Sequence, residues 1–226
     1  MTQLNLYGDA RNVTIGGHGV DIAAQRADDL DTTALEFLID VGSGARALDA
    51  ASASGGQAAR MAIAGADVVA LDIDDYAELC RATAAAHGVE ARVRFVQQDL
   101  TALDDASAVA IGQFDAIVCQ RMIHYVPYSN AIDIARKLKS LLRKGGRMYL
   151  SASGLHSELG CGYAAANLPI EARYAALSDE MVERHGINGP VCLYSVANLA
   201  QLLETAGMRV ERVYASAFGN IKAIAW

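Results

Sequence analysis

Cysteine is scarce in this chain and scattered. The four residues, Cys80, Cys119, Cys161 and Cys192, lie far apart with no metal-ligand spacing, which argues against a zinc site or a disulfide frame and points to reduced thiols. No metal site is expected. Cations are also in short supply, with 19 Lys and Arg against 26 Asp and Glu and a formal charge of -7. Nonspecific nucleic-acid binding needs clustered cations to neutralise phosphates, so it is not expected here. There is neither a signal peptide nor an apolar run of membrane-spanning length, which makes the cytoplasm the expected compartment and excludes a membrane partner. Internal repeats, low-complexity tracts and an interdomain linker are missing too. A Gly-x-Gly-x-x-Gly fingerprint is absent, which lowers a nicotinamide dehydrogenase among the possible readings.

What the sequence does have is 53% hydrophobic residues in 226, enough for one α/β domain with a large core. The organising stretch is Ala45 to Asp72. Ala47 to Ala51, apolar apart from Asp49, suits a buried parallel strand, and the Ala-Ser-Ala-Ser-Gly-Gly turn then opens a helix that Gly65 stops. Val68 to Leu71 is a second buried strand, with Asp72 at its carboxyl end, where open parallel sheets bind ligands. A carboxylate there can accept two hydrogen bonds from a ribose diol, while the loop before the helix presents main-chain N–H groups to a polar ligand.

This stretch resembles the first two motifs of the class I S-adenosylmethionine-dependent methyltransferases, whose loop usually runs acidic-x-Gly-x-Gly-x-Gly. Asp49 matches the acid, Gly55 the last glycine and Asp72 the ribose-binding acid. Ala51 and Ala53 stand where the first two glycines are usual, so the loop is expected to keep negative φ at both and to use the Ser52 and Ser54 hydroxyls in place of some main-chain contacts. Two further stretches are similar to the family. Arg92 to Asp99, RVRFVQQD, matches the third strand and its acid, which implies that Asp99 contacts adenine. Phe114 to Val126, FDAIVCQRMIHYV, matches the fourth strand and the loop after it. The resemblance further implies donor contacts from Ile73, Leu100 and Gln120, with Cys119 beside Gln120, and an acceptor wall beginning at Arg121 and Tyr125. His124 is the candidate catalytic base, since a neutral imidazole can take a proton from an attacking hydroxyl or amine.

The rest of the chain frames these motifs. Helices are expected over Val20 to Arg26 and over Thr32 to Val41, the latter capped by Asp31. With residues 1–44 they would form an N-terminal helical lid, in which Tyr7, Arg11 and Arg26 are candidate contacts. The glycine cluster Gly16-Gly17-His18-Gly19 lacks phosphate-loop context. Asp74 is a candidate cap for a helix running to His87, and an amphipathic helix is expected from Tyr128 to Arg143, closed by Lys144-Gly145-Gly146 before a fifth strand at Arg147 to Ser151. Residues 153–191 lose the alternation of strand and helix, which is long for a connection. In the family such an insertion covers the substrate, so His156 and Tyr163 are candidate acceptor contacts, along with Tyr174 and His185. A helix from Val196 to Thr205 and two hairpin strands complete the chain.

The expected fold is therefore α/β and doubly wound, a mostly parallel seven-stranded sheet with an antiparallel last strand, in one domain over residues 1–226. The expected function is methyl transfer from S-adenosylmethionine to a small-molecule acceptor. A noncatalytic binding or partner subunit that keeps the fold is the alternative, made credible by the altered loop.

Overall fold

The computed structural model describes residues 10–226; Tyr7 lies outside that range. Seven strands form one sheet in the order β3-β2-β1-β4-β5-β7-β6. They are β1 (Arg46–Ala50), β2 (Asp67–Asp72), β3 (Val93–Gln97), β4 (Phe114–Cys119), β5 (Leu142–Ala152), β6 (Val210–Ala215) and β7 (Ile221–Ala225). The first five pair in parallel, and β7 inserts antiparallel between β5 and β6. The chain direction reverses its strand order between β1 and β4. That is where a crevice opens in sheets of this kind.

Period-two alternation builds the two faces. Leu48 and Ala50 of β1 join one core while Ala47 joins the other, and on β4 Ile117 and Cys119 oppose Ala116 and Val118 in the same way. A register shift between Phe114 and Ala116 puts Phe114 on the face of Ile117 rather than that of Ala116. Helices α1 (Asp29–Val41), α2 (Gly56–Ile63) and α3 (Ala77–Ala86) cover one face. On the other lie α4 (Asp105–Ile111), α5 (Tyr128–Ser140) and α7 (Val196–Thr205). A third, smaller core belongs to the segment between β5 and α7, where Leu159, Tyr163, Met181, Ile187 and Leu193 pack together around α6 (Asp179–His185).

Several local expectations are corrected. Val20 to Arg26 forms a turn and no helix, since Asp21 and Gln25 spend their side chains on Ser54 and Ala10. The lid is thus not helical over that stretch: Val13 bridges Val20, and His18 bridges Ile187. Asp28, not Asp31, caps α1; Asp31 sits three residues on and returns a bond to the Asp28 amide, completing a capping box. Val41 is exposed. Asp74 does not cap α3, which starts at Ala77, whose amide bonds to Asp75. Helix α5 ends at Ser140, and β5 already runs from Leu142, through Gly145 at φ 84. The short helix α4 was not foreseen.

Candidate functional site

A cavity of about 1390 Å³ lies at the carboxyl ends of the central strands. Its floor is the loop after β1. Ala51 and Ala53 have φ of 62 and 43, and Gly55 has φ 80, so the expectation of negative φ at the alanines is overturned. The fold imposes this shape: the Ser52 amide donates to the Leu71 carbonyl at 3.0 Å and the Ala53 amide to Asp72 Oδ2 at 2.8 Å. Two left-handed alanines cost about 2–4 kcal/mol together, and bonds to the end of β2 hold them there. Glycine is required at Gly56 for a different reason. A Cβ there would stand 2.1 Å from the Ala23 carbonyl oxygen, so the N-terminal segment rests directly on the first turn of α2.

The acids divide into engaged and open groups. Asp72 is buried and also accepts from the Asp74 amide at 3.1 Å; burial raises its pKa against the pull of these two amides. Asp49 accepts from the Ala58 amide at 2.9 Å, and burial, aided by the Asp31 charge, pushes its carboxyl up to about 8. Asp99 turns both oxygens to Thr101, the ordinary use of an Asx turn, yet it still lines the cavity together with Ile73 and Leu100. Ser54 gives its amide and hydroxyl to Asp21, so it does not substitute for loop contacts as expected. Ser52 Oγ and Gln57 Nε2 are buried and unpartnered where their residues line the cavity. Leaving such groups unmet costs about 1–3 kcal/mol each, and a ligand with a polar end at this loop would meet them. These residues fit the polar end of a nucleoside amino acid such as S-adenosylmethionine.

Past β4 the chain turns into the cavity. Gln120 bonds through Nε2 to Asp31 at 2.5 Å and accepts from Ser151 Oγ at 3.0 Å. Lys222 of β7, buried, pairs with Asp28 at 2.6 Å and with Asp29, and Tyr214 donates to Asp29 at 2.7 Å. Sequence reasoning missed this network. Two signals were available: the Asp-x-x-Asp spacing before an apolar run, and a single lysine inside an otherwise apolar last strand.

Arg121 follows with φ 50, its amide shared between the carbonyl and hydroxyl oxygens of Ser151. His124 is buried, with the Ser153 amide 3.5 Å from Nδ1 and the Ser153 hydroxyl 3.3 Å from Nε2. Burial, reinforced by the Arg121 charge, depresses its pKa to about 3, so the ring is neutral and a weak base. Tyr125 donates to the His18 carbonyl at 2.6 Å, and its ring lies 4.1 Å from that of His124.

Arg11, Arg26 and His185 join these residues at the cavity wall. Several other expected residues do not. Gly55 and Cys119 are not among the lining residues; Gly55 lies close to Cys80, and Cys119 points into the core. Tyr163 is buried in the small core, its hydroxyl spent on the Val191 and Arg173 carbonyls. His156 lies off the cavity, with its carbonyl against Gly219. Tyr174 donates to the Tyr125 carbonyl at 3.0 Å, which makes it a support for the wall.

Strand order, antiparallel β7 and a loop locked to the acid ending β2 together define a Rossmann-like methyltransferase fold. A family model for a methyltransferase domain matches residues 47–146, and over that stretch the chain is similar to the class I S-adenosylmethionine-dependent methyltransferases. Among its relatives is a ubiquinone biosynthesis O-methyltransferase of Xanthomonas oryzae pv. oryzae, 35% identical over 133 residues, or 56% of this chain and 53% of that one. The chain thus spans about half the length of the curated relatives it matches. Two solved structures share the fold. A magnesium protoporphyrin IX methyltransferase from Synechocystis with bound S-adenosylhomocysteine is 19% identical with a TM-score of 0.64, over 97% of this chain and 90% of that one. The CcbJ methyltransferase from Streptomyces caelestis is 16% identical with a TM-score of 0.66, over 94% and 97%. Among the described residues no helix is long and apolar enough to cross a membrane.

Proposed function

We propose that this protein binds S-adenosylmethionine in the cavity and transfers its methyl group to a small-molecule acceptor. The observation that carries the reading is the Ala53 amide bonded to Asp72, which sets the loop and the ribose-binding acid in one rigid frame. In this assignment Asp72 holds the ribose hydroxyls, Asp99 with Leu100 and Ile73 faces the adenine, and Ser52, Gln57 and Gln120 meet the amino-acid end. The donor supplies an activated methyl sulfonium. The chain's own contribution is positioning, since in-line displacement needs the acceptor held at the methyl group more than it needs a base.

That division of labour suits the residues around the acceptor end. With a pKa near 3, His124 is a poor general base, and its ring is better placed to orient Ser153 and stack on Tyr125. The acceptor atom therefore arrives as a nucleophile that needs no strong base, and residues 153–191 cover it. The noncatalytic alternative loses its motive, because the alanine loop already holds the left-handed shape that glycines would supply. Calorimetric titration with S-adenosylmethionine and S-adenosylhomocysteine tests the reading. Both should bind in the micromolar range, and Asp72→Ala should weaken them by about a hundredfold, as expected for losing charge-assisted hydrogen bonds worth roughly 3 kcal/mol. No heat at millimolar ligand, or an unchanged affinity in folded Asp72→Ala, would overturn it.

A further inference from the structure

We infer that the acceptor carries a carboxylate and that the Arg121 guanidinium binds it. The inference rests on the methyltransferase reading and deepens it.

Three observations converge on Arg121. First, it is the cavity cation left without a counter-charge: Arg184 pairs with Glu158 and Glu180, and Lys222 with Asp28 and Asp29. Arg11 and Arg26 have partners as well. Among the described residues the Arg121 guanidinium has no hydrogen bond or ion pair, although its residue lines the cavity. Second, its backbone is held in the left-handed region at φ 50 by a forked bond from its amide to Ser151. A conformation costing about 1–2 kcal/mol fixes the direction in which this side chain leaves the strand, and strain of this kind collects at ligand sites. Third, two groups within reach of its charge are themselves uncharged. His124 and Tyr125 both feel the Arg121 charge, and neither can neutralise it: the imidazole is neutral, and burial raises the Tyr125 phenol further above its ordinary value.

The chemistry of the missing partner follows from the guanidinium. Its planar fork matches a carboxylate through two parallel N–H bonds. One fork neutralises one charge, and the same cavity also carries Glu158, Glu180 and Glu183, so a second negative charge on the ligand would have no counter-charge of its own. A monoanion is the better fit. Such a group anchors the molecule beside the end of β4, while the atom to be methylated lies elsewhere on it.

Matched pairs of small molecules test this, namely 4-hydroxybenzoate against 4-hydroxybenzamide and indole-3-acetate against indole-3-acetamide. Each is titrated into protein saturated with S-adenosylhomocysteine. The carboxylates should bind at least tenfold tighter than their amides. The preference should vanish in Arg121→Gly and Arg121→Asn, which both accept the left-handed backbone, and return in part in Arg121→Lys. Equal affinity within both pairs, no binding by either carboxylate, or a preference surviving in Arg121→Gly overturns the inference. The saturation step separates the two failures: S-adenosylhomocysteine that does not bind removes the methyltransferase reading and this inference with it, whereas product that binds without a carboxylate preference removes only the inference.

Discussion

The floor and the cover of the cavity are built on different plans. In the floor each functional group stands within a few residues of a strand end, and bonds between neighbouring strands finish the geometry, as when Ala53 meets Asp72. The cover between β5 and α7 is joined by bonds that leap along the chain: Tyr163 to Val191, Arg173 to the Leu193 carbonyl, and the Cys192 amide to the His124 carbonyl. The floor shares the two main cores of the sheet, while the cover has a small core of its own and reaches the main one through Ile170, Cys192 and Tyr194. The difference teaches that floor and cover can vary in part separately, because most of the cover's buried side chains pack in a core of their own.

The sharpest way to break that comparison is Leu193→Ala, which opens a hole in the small core at a fully buried position. The expected loss is about 2–5 kcal/mol, seen by hydrogen exchange as reduced protection across residues 155–193. Protection in β1 and β2 and affinity for S-adenosylhomocysteine should both hold; a parallel fall in donor-site affinity would show that the two regions are one unit.

His124 joins the two plans, so its titration reads their junction. Its pKa is near 6.5 in the unfolded chain and about 3 in the fold. Between those values the unfolded chain binds more protons, and stability is complete above pH 6.5 and lost as pH falls toward 3. At pH 4.5 the loss is roughly 2–3 kcal/mol. Asp49, raised to about 8, acts with the opposite sign over part of this window. The His124 contribution is therefore the difference between wild type and His124→Gln in urea unfolding at pH 7 and pH 4.5, and equal slopes for the two proteins would refute it.

The smallest effect sharpens the account of the floor. Ala51→Gly and Ala53→Gly should each relieve left-handed strain of about 1–2 kcal/mol while adding unfolded-state entropy worth roughly 0.5–1 kcal/mol. A net gain of about 0.5–1 kcal/mol per site is expected in thermal unfolding, with donor affinity unchanged because the strain precedes binding. Tighter donor binding without added stability would mean that the strain is met only in the complex.

The sequence was readable where chemistry is local. Asp72 and Gln120 follow from strand-end positions and Asp49 from the resemblance of its loop, and the structure sets all three around one cavity. The backbone of Ala51 and Ala53 was misjudged because residue preference is a weak term beside two bonds to the next strand. Val20 to Arg26 had helical periodicity, yet its polar groups found better partners in Ser54 and Ala10. His156 and Tyr163 were chosen by residue type inside an irregular segment, and no spacing rule says which side of such a segment faces a ligand. Lys222 was hidden by distance, since 194 residues separate it from Asp28.

The antiparallel course of β7 has a practical consequence for handling the protein on a surface. Ile221 pairs with Ala152 at the cavity end of the sheet and Ala225 with Met148 further back, so Trp226 emerges on the far side, against Arg147 and Arg209. Ala10 and the residues after it, by contrast, run beside the cavity mouth, where Arg11, Thr14 and His18 line the wall. A tether fixed at Trp226 presents the open mouth to the solution, and one fixed near Ala10 shadows it. Sensor chips and affinity resins loaded in the two orientations should thus report different capture rates for the same small molecule.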